Sequence, residues 1–104
     1  MARLILSFCR DCLGSVPETL TEALRDLPVR MRLADCLGRC DAPQALALEG
    51  RSLAAYLFDG IDVETDAADI AATCKAVLEA DAGWIEDARP CGRLRHRLVT
   101  RVPA

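Results

Sequence analysis

Leu4-Ile-Leu-Ser-Phe-Cys-Arg-Asp-Cys12 is a short apolar run that halts at a pair of cysteines. Its length and composition, read with Arg3 in front, are those of a buried strand over Arg3 to Phe8, with Cys9 and Cys12 on the loop that follows. Downstream, Ser15-Val-Pro-Glu18 offers a capping hydroxyl, a proline for the first turn and a glutamate three positions after the serine, so a helix starts there. Leu20, Ala23, Leu24 and Leu27 continue at helical spacing, and Pro28 ends the helix near Asp26. Val29, Met31 and Leu33 then alternate with Arg30 and Arg32, the two-residue period of a second strand, and Cys36 follows it. Two cysteine loops thus leave two strands.

Further along, Gln44 to Leu48 and Leu53 to Phe58 flank Glu49-Gly50-Arg51-Ser52 as the two strands of a hairpin. Thr65 and Asp66 can cap a longer helix with an apolar stripe of Ala67, Ile70, Cys74, Val77 and Leu78, ending near Ala82-Gly83. From Trp84 to Ala104 no period is visible, and this basic tail is expected to wrap over the surface or a partner. The expected fold is α/β: a four-stranded mixed sheet with helices packed on it, in the order βαβββα and of thioredoxin-like arrangement.

The 104 residues suit one domain, residues 1–104 with 84–104 as its tail. No apolar stretch approaches the roughly 20 residues of a membrane span, and the start has no secretion-signal pattern, so a cytoplasmic protein without membrane contact is expected. Six cysteines in a reducing compartment point to metal or redox chemistry rather than structural disulfides. The net charge is only −3, but Asp59 to Asp87 holds nine carboxylates against Lys75, and Arg89 to Arg101 holds five arginines and His96, which predicts two faces of opposite sign.

Cys9-x2-Cys12 and Cys36-x3-Cys40 are two close pairs, 23 residues apart. If their strands are parallel neighbours, all four sulfurs can converge at one edge of the sheet. Four soft thiolates suit tetrahedral zinc or an iron–sulfur cluster, and softness does not choose between them. Cys9 and Cys12 alone, between a strand and a helix, also read as a dithiol oxidoreductase site, with Pro43 before a strand in keeping; a dithiol enzyme, however, has no need of the second pair. Cys74 lies on an apolar stripe and is expected to pack. Cys91, in Arg89-Pro-Cys-Gly-Arg93, sits in an electropositive setting that favours a reactive thiol or spare ligand, the plainer reading being an ordinary loop cysteine. His96, without another donor beside it, is expected to be a solvated surface residue.

Cys36-Leu-Gly-Arg-Cys40-Asp-Ala-Pro43 resembles the second cluster-binding segment of thioredoxin-like [2Fe-2S] ferredoxins and of the related NADH dehydrogenase subunit. The likeness runs from Leu4 to about Ala80 in order of elements. Including the closing Arg-Pro-x-x-x-Leu-Arg and Arg-Val-Pro segments, the chain is similar to a bacterial family of predicted metal-binding proteins of this ferredoxin-like type. The resemblance implies an electron-transfer protein rather than an enzyme, with Cys9, Cys12, Cys36 and Cys40 as ligands of a [2Fe-2S] cluster, and a possible homodimer. The alternatives are a zinc- or iron-binding accessory protein for metal handling and a CxxC thiol-disulfide oxidoreductase. The first pair is spaced more closely than in the ferredoxins, which bears on cluster type more than on ligand identity. Arg10 and Arg39, each beside a ligand, could offset cluster charge, and Gly38 allows a tight loop.

A carrier of this kind implies a redox partner protein, a reductase or an oxygenase-type acceptor. The carboxylate-rich stretch could steer a basic reductase, and the basic tail could dock on an acidic partner. Without interleaved aromatics and in an acidic chain, the tail does not read as a nucleic-acid binder.

Overall fold

A computed structural model describes residues 3–9, 17–34 and 45–104. The elements are β1 (Leu4–Cys9), α1 (Glu18–Ala23), β2 (Val29–Ala34), β3 (Leu46–Glu49), β4 (Ala55–Phe58), α2 (Ala67–Glu79), two 3-10 segments (Asp81–Gly83 and Arg89–His96) and β5 (Leu98–Val102). The five strands form one mixed sheet in the order β2-β1-β3-β4-β5. β1 and β2 run parallel, and β1–β3, β3–β4 and β4–β5 are antiparallel. The chain is therefore a mixed α/β fold, with a fifth strand where four were expected.

Strand periodicity sorts the sheet into two faces. Leu4, Leu6 and Phe8 of β1, Leu46 and Leu48 of β3, and Tyr56 and Phe58 of β4 are buried against Leu20 and Leu24 of the α1 segment and Ala67, Ile70, Cys74 and Val77 of α2. Both helices thus cover the same face. Val29, Met31 and Leu33 pack at its margin, while Arg30 and Arg32 stay exposed, as the alternation in β2 requires.

Several boundaries differ from the sequence expectation for local reasons. Ser15 lies outside the described residues; the N-cap of α1 is Pro17, and among the described residues no side chain caps the helix. The helix closes at Ala23, earlier than Asp26, because Leu27 precedes a proline and is disfavoured in helical geometry. The chain tightens instead through Arg25 N–H to Glu22 O and Leu27 N–H to Leu24 O, both three-residue turns. Gln44 lies outside the described residues, and β3 is formed from Leu46. α2 stops at Glu79, before Ala82-Gly83, and the residues after it turn back so that Ala82 O accepts from Ala54 N–H at 2.8 Å. Gly83, at φ +72°, lies so close to Ala54 N that a side chain would collide there.

The segment 84–104 is part of the domain rather than a surface tail. Tyr56 Oη donates to Gly83 O at 2.6 Å and accepts from Ile85 N–H at 2.9 Å, anchoring the start of the segment to β4. Cys91 and Leu94 are buried in the core, and β5 extends the sheet. Arg101 stacks over the Trp84 ring at 3.8 Å and donates to Ile85 O at 3.0 Å.

Nor do the acidic and basic stretches form two separate faces. Arg97 donates to Asp59 O at 3.1 Å and pairs with the Asp59 carboxylate, and Arg89 pairs with Asp87 at 2.8 Å. Arg93 pairs with the buried Asp66: its Nε donates to Asp66 Oδ1 at 2.9 Å and its Nη2 to Asp66 Oδ2 and Gly60 O. Opposite charges far apart in sequence fold onto one another. Gly92, at φ +61°, makes this possible, since a Cβ there would run into the Asp69 carboxylate that accepts from Arg93 N–H.

Asp66 stands at the N-cap position of α2, yet its carboxylate does not cap that helix. It accepts backward from Asp62 N–H at 2.9 Å, while Asp62 Oδ1 accepts from Glu64 and Thr65 N–H, holding the turn that leads in. The Arg93 guanidinium holds the Asp66 carboxyl below the ordinary carboxylate range, against the opposing effect of burial and with help from Asp62 N–H. A depressed folded-state pKa means stability that is present above the unfolded value of about 3.9 and lost as pH falls through the lower folded value. Urea titrations between about pH 5 and about pH 2 should show a steeper loss of stability in the wild type than in Asp66→Asn, which should already be weaker near pH 7. Equal acid slopes would remove Arg93–Asp66 from the pairs that stabilise the fold.

Candidate metal centre

Cys9 is the last residue of β1, and the parallel register sets it beside Ala34, the last residue of β2. Both strands therefore end at the same edge of the sheet, and the segments 10–16 and 35–44 begin there. β3 enters from that edge too, with Leu46 opposite Phe8. A strand that runs on through Cys9 differs slightly from one halting at Phe8; the ladder to β2 continues one residue further.

Of the four proposed ligands, Cys9 is placed by its backbone. Cys12, Cys36 and Cys40 lie outside the described residues, as do Arg10, Gly38, Arg39 and Pro43. Among the described residues no group of three or more His, Cys, Asp or Glu side chains could hold a metal ion.

The other two cysteines are free and buried. Cys74 packs in the core from α2, as its place on the apolar stripe predicts. Burial pushes its thiol up to about 12, with Cys91 nearby adding to the effect, so at neutral pH it is a protonated, apolar filler and not a thiolate donor. Cys91 is only 4 % exposed, in the same core, and is not the ordinary loop cysteine that the plainer reading of its segment expects. The neighbouring arginines turn to carboxylates and carbonyls, which sequence spacing alone does not reveal. His96 is exposed and accepts from Arg95 Nε at 3.1 Å.

The family described as protein of unknown function (DUF1636) matches residues 9–104. The chain belongs to this family. No curated protein and no solved structure matches it. The DUF1636 match begins at Cys9 and takes in both cysteine pairs together with β5, so the family unit includes the 84–104 segment that the fold packs into the domain. No helix among the described residues of this DUF1636 chain is long and apolar enough to cross a membrane.

Proposed function

We propose that this DUF1636 chain is a ferredoxin-like electron-transfer protein whose [2Fe-2S] cluster is held by Cys9, Cys12, Cys36 and Cys40. The observation that carries the proposal is the pairing of Cys9 with Ala34: parallel strands end side by side, so the two cysteine-bearing segments start from one edge. Four thiolates on two such segments are a soft donor set suited to iron and sulfide. A βαβ unit followed by a ββα unit on one mixed sheet supports the thioredoxin-like reading that goes with it.

When bound, the cluster supplies a site that takes up and gives back one electron. The chain's own residues hold it at a sheet edge, and their hydrogen bonds and charges tune its potential. Nothing is transformed, so the protein is a carrier and not an enzyme, working in the cytoplasm with a redox partner such as a reductase or an oxygenase-type acceptor. The buried state of Cys74 and Cys91 supports a four-ligand set drawn from the other cysteines.

Protein purified without oxygen should be coloured, with visible absorption of a thiolate-bound cluster, and should hold iron and acid-labile sulfide in equal amounts. A colourless protein carrying zinc would replace this reading with the metal-handling one. Metal-free protein with disulfide reductase activity dependent on Cys9 and Cys12 alone would replace it with the dithiol one.

A further inference from the structure

One face of the sheet carries both helices; no described element packs on the other. On that second face a groove of about 280 Å³ runs over the middle of the sheet, lined by Ser7, Ala47, Ala55, Leu57, Thr100 and Val102, with the Arg32–Glu49 pair at its rim. A second groove of about 310 Å³ adjoins it toward the start of β1, between Arg3, Ile5 and Arg51. The register places Arg30 beside Ile5 on the same face.

Three features of this face call for a ligand. Its centre is apolar or small: Ala47, Ala55 and Leu57 are half-buried and Val102 is 53 % exposed. In the middle of it, Ser7 is 1 % exposed, and its Oγ is buried without a hydrogen-bond partner among the described residues. Buried hydroxyls are nearly always paired, so the unpaired Ser7 Oγ leaves an unmet polar group beneath the groove that Ser7 helps to line. Around the centre stand Arg3, Arg30, Arg32 and Arg51 against, among the described residues, a single carboxylate, Glu49. Arg32 and Glu49 form an exposed pair at 3.2 Å, and Arg3, Arg30 and Arg51 have no carboxylate partner among the described residues.

We propose that this uncovered sheet face docks an acidic amphipathic segment of a partner protein. Its apolar side lies on Ala47, Ala55 and Leu57, and its carboxylates meet Arg3, Arg30, Arg32 and Arg51. Charge decides the occupant. A second copy docked through the same face would bring two arginine-rich rims together, and like charges across an interface oppose association. An acidic partner meets complementary charge. Three arginines of the C-terminal segment, Arg89, Arg93 and Arg97, are taken up by the chain's own carboxylates. The docking face stands independently of what the cysteines at the sheet edge hold.

The test uses the full chain and a labelled helical peptide of about 18 residues, or five turns, with a leucine stripe flanked by glutamates, and a twin with lysines in their place. The acidic peptide should bind in an anisotropy titration and the lysine twin should not. Arg30→Glu with Arg51→Glu, both at exposed positions, should weaken binding at least about tenfold without changing the thermal midpoint, and raised salt should do the same. Leu57→Asp should abolish binding with all four arginines still in place. Equal binding of both peptides, or unchanged binding by the Arg30/Arg51 variant, would overturn the proposal. So would sedimentation showing a homodimer that the same variant dissociates, because a second copy would then be the occupant.

Discussion

Phe8→Ala is expected to remove about 3–5 kcal/mol of stability, the usual cost of emptying a buried aromatic site. Phe8 is 1 % exposed, sits between Leu33 of β2 and Leu46 of β3 in the ladder, and packs in the same core as the helices. A domain of this size has a total of about 5–15 kcal/mol, so the variant should lose a large fraction of it. With a slope of about 4–8 °C per kcal/mol, the melting midpoint should fall by at least about 12 °C. Circular dichroism melts and urea titrations measure both quantities. Ile5→Ala provides the comparison, since Ile5 lies on the same strand but on the uncovered face and is only half-buried. It should cost far less. Comparable losses for the two variants would contradict a sheet with helices on one face.

Phe8 is also the residue next to Cys9, which gives its packing a functional consequence. Core residues, Phe8 among them, pack beside the edge where β1 and β2 end side by side. A loosened Phe8 site should therefore let the strand ends fray, and with the proposed cluster at that edge, iron retained by Phe8→Ala should fall before the rest of the fold unfolds. Metal content measured across a urea titration would show the two events separating.

How far the sequence could be read depended on the range of the interaction concerned. Alternation in Val29 to Leu33 reports a strand with one wet face, and the structure has it, because that signal is local. The apolar stripe of α2 likewise reports Ile70, Cys74 and Val77 as core. β5 was not legible: all five of its residues are exposed, so no buried period marks Leu98–Val102 as a strand, and what holds it is the ladder to β4. The charge layout misled for a related reason. Arg93 meets Asp66 across 27 residues and Arg97 meets Asp59 across 38, contacts that cancel the opposite-sign faces predicted from composition. Cys91 was read from its arginine neighbours in sequence, whereas its neighbours in space are core residues. Of the candidate site, the structure places Cys9 and the shared edge of β1 and β2; Cys12, Cys36 and Cys40 lie outside the described residues.

If the four cysteines hold the proposed cluster, each of Cys9→Ser, Cys12→Ser, Cys36→Ser and Cys40→Ser is expected to strip the anaerobically purified protein of nearly all its colour, iron and sulfide. A cluster of two irons takes two protein thiolates on each, so no one of the four is a spare, and a serine oxygen is a harder donor that binds iron less well at neutral pH. Cys74→Ala and Cys91→Ala should keep full iron and colour, because both thiols are in the core and Cys74 is held protonated by burial. The two sets differ in kind as well as size: the core variants should lose melting temperature at constant iron per folded chain, and the edge variants should lose iron first. Iron kept by any one of the four serine variants would reduce the ligand set to three cysteines and send the search for a fourth donor to another residue. Iron lost on changing Cys91 would show that the buried thiol reaches the metal after all, and with it that segment 89–96 moves when metal binds.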